Sequence, residues 1–344
     1  MPTRTPRQFV RFLLLVALSS LACAQDSPKA IMAYYESSGS GHSLRTFAPY
    51  LNQIPTDVFA IDAQGKVSGS APAGVLAFAR SHGMQTFATV SNFGNSGFVP
   101  FIAHNILTHP TIRAQAIANM LAVVQLYDYS GVNIDFEAVP RTDRAAFTKF
   151  ITEVGKAMHG AGYLSVISVP AELQDDPNDS WSGAFDFKAL APHLDILQLM
   201  TYDENGPWGP PGPVAGLDWV EPCVQFAASV VPSSKISMGL PAYGYDWNLS
   251  NGTGVQVDWK NIPALMAKFD ASPQWDANSS SPYFTYTTPG GSNHVVWYEN
   301  SQSVPLKTAL VNTYNLAGVS VFALGFEDIT FWQAVTSGIG TGRR

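Results

Sequence analysis

At 344 residues, with 12% aromatic and only 13% charged residues, the chain can bury a full core and is neither disordered nor a coiled coil. Its formal charge of −7 argues against nucleic acid or an anionic membrane surface as a partner. No internal repeat of 20–50 residues and no low-complexity tract interrupts it.

The chain opens with Arg4, Arg7 and Arg11, an apolar run from Phe12 to Leu18, and then Ser19-Ser20-Leu21-Ala22-Cys23-Ala24. Basic, apolar and small-residue regions in that order read as a secretory signal peptide, residues 1–24, cut after Ala24. The apolar run is too short to span a bilayer. Lipid anchoring at Cys23 is the competing reading, but Ser20-Leu21-Ala22 matches a lipoprotein signal poorly. A mature chain of 25–344, extracellular or periplasmic, is therefore expected. Losing three Arg and no acid takes its charge from −7 to −10. Cys223 would then be the only thiol, which excludes an intrachain disulfide and a zinc–thiolate site and leaves a buried structural Cys.

Short apolar strands then alternate with helical segments. Strands are expected at 30–35, 57–63, 85–92, 131–137, 164–170, 196–203, 235–244 and 318–325, eight in all. Helices are expected between them at 42–54, 73–82, 112–127, 144–159, 219–231 and 304–314. Asp143 can cap the helix at 144, and Gly160 with Gly162 can end it. Eight strand–helix units predict an α/β fold, a (β/α)8 TIM barrel, and the absence of an early Gly-rich phosphate loop speaks against a doubly wound sheet. One connection is too long: 73 residues, Tyr245 to Ala317, separate the seventh and eighth strands. It is rich in Trp and Tyr, and a small α+β insertion is expected at about 246–300.

The fourth strand carries the chemistry. Along Gly131-Val132-Asn133-Ile134-Asp135-Phe136-Glu137, alternation puts Asn133, Asp135 and Glu137 on one face. A wet outer strand would explain such a face, but barrel strands are covered on both sides. Burying two carboxylates and an amide there without a role would cost several kcal/mol. They also fall at the strand's C-terminal end, where barrel enzymes do chemistry. Mutual repulsion and partial burial should raise one pKa, as a general acid near neutral pH requires. Glu137, nearest the end, is placed to protonate a leaving oxygen, with Asp135 deeper in to hold it and stabilise charge.

This strand resembles the D-G-x-D-x-D-x-E motif of glycoside hydrolase family 18, the chitinase family, with Ser130 and Asn133 replacing the first two Asp. The form G-V-N-I-D-F-E is most similar to the branch of spore-cortex and peptidoglycan N-acetylglucosaminidases. Met200-Thr201-Tyr202-Asp203 resembles the family's M-x-Y-D, and Gly239-Leu240-Pro241-Ala242-Tyr243-Gly244 its G-x-P-x-Y-G. Phe185-Asp186-Phe187 and Pro211-Gly212-Pro213 are also similar to family segments, so the likeness covers about 31–332. The resemblance implies a retaining, cofactor-free glycosidase acting on β-1,4-linked N-acetylglucosamine polymers, chitin or peptidoglycan, with the substrate's acetamido group as nucleophile. It implies Glu137 as acid and then base, Asp135 orienting the acetamido N–H, Tyr202 donating to the acetamido oxygen, and Asp203 binding the same sugar.

Two departures matter. Asn133 cannot hold a proton for Asp135, which predicts a narrower or shifted pH profile. Phe322 stands where many members place a Trp, which predicts weaker stacking at that sugar. Met200, Tyr243, Trp208 and Trp297 complete the candidate substrate contacts, the last three with a packing or loop-anchoring role as competitor. Ser91 and Asn92 could touch substrate by position alone, while Trp219 and Trp332 fit the core better.

The seven His show no ligand spacing, so no metal is expected, and no G-x-S-x-G elbow supports a serine hydrolase. A catalytically inactive carbohydrate-binding lectin on the same fold is the rival reading, and the chitobiose core of N-glycans is an alternative target. No membrane span and a monomer are expected.

Overall fold

The computed structural model describes residues 29–340. The expected signal peptide and Cys23 lie outside the described residues. Among the described residues fourteen strands form: β1 (Ala30–Ala33), β2 (Gln53–Ile61), β3 (Val67–Gly69), β4 (Gln85–Ser91), β5 (Gly131–Asp135), β6 (Leu164–Pro170), β7 (Ile196–Met200), β8 (Ile236–Pro241), β9 (Tyr243–Asn248), β10 (Thr253–Asp258), β11 (Gln274–Asp276), β12 (Ser281–Thr287), β13 (Asn293–Trp297) and β14 (Gly318–Phe322). The helices are α1 (Ser38–Phe47), α2 (Ala73–Ser81), α3 (Pro100–Thr108), α4 (Pro110–Tyr127), α5 (Arg144–Gly160), α6 (Phe187–Leu190), α7 (Leu217–Val230), α8 (Ile262–Lys268), α9 (Ser303–Thr308), α10 (Leu310–Thr313) and α11 (Ile329–Ile339).

Eight strands pair in parallel in the order β1-β14-β8-β7-β6-β5-β4-β2, and β2 returns to β1 through Met32 opposite Gln53 and Tyr35 opposite Thr56. The sheet is a closed barrel ringed by helices, the (β/α)8 architecture the alternation predicts. The surrounding helices join it through apolar stripes, as α5 shows. In α5 the buried residues Phe147, Phe150, Ile151, Val154 and Met158 recur at helical spacing, and Phe136 beneath them stacks on Phe150 with ring centroids 5.4 Å apart.

The barrel interior is layered. Met32, Phe87, Val166 and Ile196 fill its lower end with apolar bulk. Above them Asn133, Ser168, Gln198 and Ser320 point inward, all buried, and satisfy one another. The Gln198 amide donates to Ser320 Oγ at 2.9 Å, the Tyr34 hydroxyl to Gln198 Oε1 at 3.4 Å, and the Asn133 amide to the Tyr34 oxygen at 3.0 Å. This polar layer is the floor on which the site stands.

The inserted region forms a second, antiparallel sheet in the order β10-β9-β13-β12-β11. Tyr243, Tyr245, Trp247 and Val295 pack one face against Val214 and the barrel mouth. Phe284, Val296 and Tyr298 pack the other against Ile262, Leu265 and Met266 of α8 and its start.

Four expectations need correction. The strand expected at 235–244 is two strands: β8 stops at Pro241, which has no N–H for the ladder, and after Ala242 alone the chain enters β9 of the other sheet. The helix expected at 42–54 starts earlier and ends at Phe47. Pro49 in the following short turn ends it, and 53–54 already belong to β2. Asp143 does not cap α5. Residues Arg141–Asp143 are already a 3-10 turn, and the Asp143 carboxylate instead takes a bond from His104 Nδ1 at 2.7 Å. The helix expected at 304–314 is likewise split, into α9 and α10.

Candidate active site

The C-terminal ends of the barrel strands open into a cavity of about 1070 Å³. Its wall carries Glu36, Asp57, Asp135, Glu137, Asp203 and Glu204, and no Lys, Arg or His among the described residues. Burial favours the protonated form of each of these carboxyl groups, and like charge adds to it at Glu36, Asp135 and Glu137.

Asp135 ends β5 directly above Asn133 and is pushed to about 7, first by burial and then by the charge of Asp57, with Ser168 hydrogen bonding pulling the other way. Glu137 lies two residues further. Burial, then Asp135, Asp203 and Asp57, hold its carboxyl well above the ordinary 4.5. Its backbone is clamped by the fully buried Asn92, whose Oδ1 accepts the Glu137 N–H and whose amide donates to the Glu137 carbonyl, both at 2.9 Å. A carboxyl group that holds its proton more tightly than usual, on a backbone fixed from the neighbouring strand, is equipped for proton transfer.

Tyr202 and Asp203 follow β7. Burial keeps the Tyr202 phenol far above its ordinary 10.0, so it stays an O–H donor. Its ring stands against β8 at Gly239, where an added Cβ would come within 2.8 Å of Tyr202 Cε1 and 2.7 Å of the Leu199 carbonyl oxygen. Only glycine permits that approach. Asp203 sits at φ 61, a conformation Asp tolerates better than most residues. Its Oδ1 receives the hydroxyls of Tyr243 at 2.7 Å and Tyr245 at 2.8 Å. Burial still raises the Asp203 pKa, with those two bonds working against the rise.

Of the residues singled out from sequence, Asp135, Glu137, Tyr202, Asp203, Met200, Phe322 and Trp208 line the cavity together. Phe322 lies at its base, its ring centroid 6.0 Å from those of both Tyr34 and Tyr202. Trp208 stands 71% exposed at the rim, edge-on to Tyr245. Three others lie elsewhere. Asn133 is sealed beneath Asp135 by its bonds to Tyr34, Thr89 and Ser168. Tyr243 is buried behind Asp203, and Trp297 is stacked on Tyr283, centroids 4.7 Å apart, within the inserted sheet. Trp332 is in the core, and Trp219 both packs on the core and reaches the cavity. Cys223 is buried in α7.

Sequence reasoning missed Glu36, Asp57, Glu204, Trp181, Phe93 and Phe98, which also line the cavity. Asp57 carries the same signal as Asp135, an acid within an apolar strand. Starting the second strand at 57 put it at the wrong end of the barrel. Phe93 and Trp181, 46% and 50% exposed, lie on loops with no strand pattern to place them. Among the described residues no group of three or more His, Cys, Asp or Glu is arranged to hold a metal ion.

Comparison with known proteins gives a coherent picture. Residues 57–327 match the profile of the glycosyl hydrolases of family 18. The chain is 37% identical over 302 residues to the uncharacterized glycosylase YvbX of Bacillus subtilis (strain 168), covering 87% of this chain and 88% of the relative. It is 26% identical to the cortical fragment-lytic enzyme of the same organism, covering 84% and 68%. The crystal structure of a chitinase from Chromobacterium violaceum superposes with a TM-score of 0.87 at 40% identity, covering 92% of this chain and all of the other.

Proposed function

As the chain belongs to the glycosyl hydrolases of family 18 and is a glycosidase, we propose that it cleaves β-1,4-linked N-acetylglucosamine polymers, chitin or peptidoglycan, by a retaining, substrate-assisted route. The observation that carries this reading is the pairing of Glu137, whose carboxyl is held well above its ordinary pKa by burial and acidic neighbours, with Asp135 and the Tyr202 hydroxyl around one cavity.

In the first step Glu137 gives its proton to the glycosidic oxygen as the C1–oxygen bond breaks. The sugar's own acetamido oxygen forms the new bond to C1 from the opposite face. Ionised Asp135 accepts the acetamido N–H and opposes the positive charge that develops there, while Tyr202 donates to the acetamido oxygen and aligns it. In the second step Glu137, now a carboxylate, takes a proton from water as that water attacks C1. The acetamido bond breaks and the configuration is restored after two displacements. Met200 and Phe322 form the apolar base under the sugar, and Trp208 offers a stacking face at the rim. A cavity at the upper end of the roughly 300–1,000 Å³ typical of small-molecule sites suits more than one sugar residue.

The test is to digest chitohexaose and purified peptidoglycan side by side and weigh the products. N-acetylglucosamine-terminated fragments from either polymer support the reading and choose the substrate. Binding without any product would assign a carbohydrate-binding protein instead. Export belongs to the same proposal, resting on the N-terminal pattern of residues 1–24, and an exported chain beginning at Gln25 would support it.

A further inference from the structure

Asp57 has no part in the steps above, yet it faces the same space as Asp135. Strand register fixes its direction. Asp57 is opposite Thr89 on β4, and Thr89 is opposite Asn133 on β5. Paired residues of parallel strands share a face, and the Asn133 amide bonds Thr89 Oγ1 inside the barrel, so Asp57 also points inward. A bulge follows at once: the register jumps between Asp57 and Phe59. Without it Phe59, two residues on, would point inward too. With it Phe59 pairs with Val90 instead and packs on Tyr129, ring centroids 6.2 Å apart.

Asp57 and Asp135 are thus two strands apart around the wall, on the order of 10 Å between backbones. The strand between them presents only Thr89 and Ser91 at this height, small side chains that do not screen one carboxylate from the other. Ser91 and both acids line the cavity. The inward side chains directly beneath Asp135, Asn133 and Ser168, are neutral and cannot ionise at any working pH. Besides Asp135, the groups facing Asp57 are Glu36 and Tyr34 at the end of β1 and Glu137 beyond β5; Asp258 of β10 faces Glu36.

We propose that Asp57 is a positioning residue for the reaction, an inward acid two strands away whose charge governs how readily Asp135 ionises. Glu36, which is pushed to about 7 by burial and then by Asp57, extends the same acidic wall. The inference rests on the reading of Asp135 as the group that must be ionised and Glu137 as the group that must be protonated. Activity then follows a bell whose acid limb is Asp135 and whose basic limb is Glu137. A negative neighbour makes ionisation harder, so removing it lowers both values. The acid limb moves more, because only the small side chains of Thr89 and Ser91 stand between Asp57 and Asp135, whereas Glu137 lies beyond the end of β5.

The experiment is the pH dependence of kcat/KM for Asp57→Asn on a chitooligosaccharide, with thermal melting to confirm the fold. The acid limb should fall by roughly 0.5–1 pH unit, more than the basic limb, which broadens the bell. Adding Asn133→Asp to that variant puts a carboxylate back beside Asp135 and should return the limb toward its original position. Asp57→Ser gives the same reading should the amide not be accommodated. A profile that only drops in height, with both limbs in place, overturns the proposal. A wild-type chain with no activity on either polymer would instead overturn the functional reading on which it rests.

Discussion

The lower and upper halves of the barrel are built from the same strands and differ completely in what they hold. On β4, Phe87 fills the floor, while Ser91, four residues on, lines the cavity. On β5 the inward positions change from Gly131 through Asn133 to Asp135 within a single strand. The β4–β5 ladder runs unbroken through both halves, so along these two strands the backbone does not decide which is chemical and which is structural. Side-chain burial against apolar or acidic neighbours decides it, and a substitution should therefore damage one property and spare the other.

The largest separation is expected between Glu137→Gln and Phe87→Ala. Glu137→Gln should lower kcat by about 10²–10⁴-fold, the range of a lost general acid, while binding of an oligosaccharide persists. Phe87→Ala should cost about 3–5 kcal/mol of stability in a denaturant titration, through an unfilled space in the floor. A Glu137→Gln enzyme with normal turnover, or a Phe87→Ala protein as stable as the parent, would erase the distinction between the halves.

Asn92→Ala probes the boundary between them, since that amide is buried yet holds only the backbone of Glu137 and Val99. Leaving the Glu137 N–H without a partner should cost about 1–3 kcal/mol. Because the acid is then less well aimed, kcat should fall with KM little changed. Rescue of kcat by Asn92→Asp, which keeps the acceptor, would confirm that positioning is the cause.

The smallest effect is on stability against pH. Asp57 is pushed to about 6, Asp135 and Glu36 to about 7, and Glu172 to about 8. Carboxyl groups with folded values above their unfolded ones favour the fold while protonated, and that contribution is lost as pH rises through the folded values. Melting temperature should therefore decline between about pH 5 and pH 8, and Glu137→Gln, which cannot ionise, should melt about 1–3 °C above the parent at pH 8. A melting temperature that climbs over this interval contradicts the acid-only wall.

The parts of the molecule readable in advance are those where one local pattern has one meaning. A strand covered on both faces needs a continuous apolar run, so all eight barrel strands stand out, and an acid such as Asp135 inside one of them is conspicuous. The helix stripe of α5 is equally plain. What stays hidden depends on partners distant in sequence. Tyr243 reads as a candidate substrate contact but supports Asp203 from 40 positions away. Asn92 reads as a strand end, yet its partner is the backbone of Glu137. Asp57 hides behind a boundary error of four residues, because Pro55 makes the first half of β2 look like a turn.

The single residue, Ala242, that separates β8 from β9 has a consequence for protein engineering. Tyr243 and Tyr245, which grip Asp203, belong to the first strand of the inserted sheet and to no part of the barrel. Trimming that sheet to a short loop would unmoor the carboxylate that follows β7, and a chimera taking it from a relative must bring both phenols in the same register. What looks like a detachable module is one of the hands holding the site.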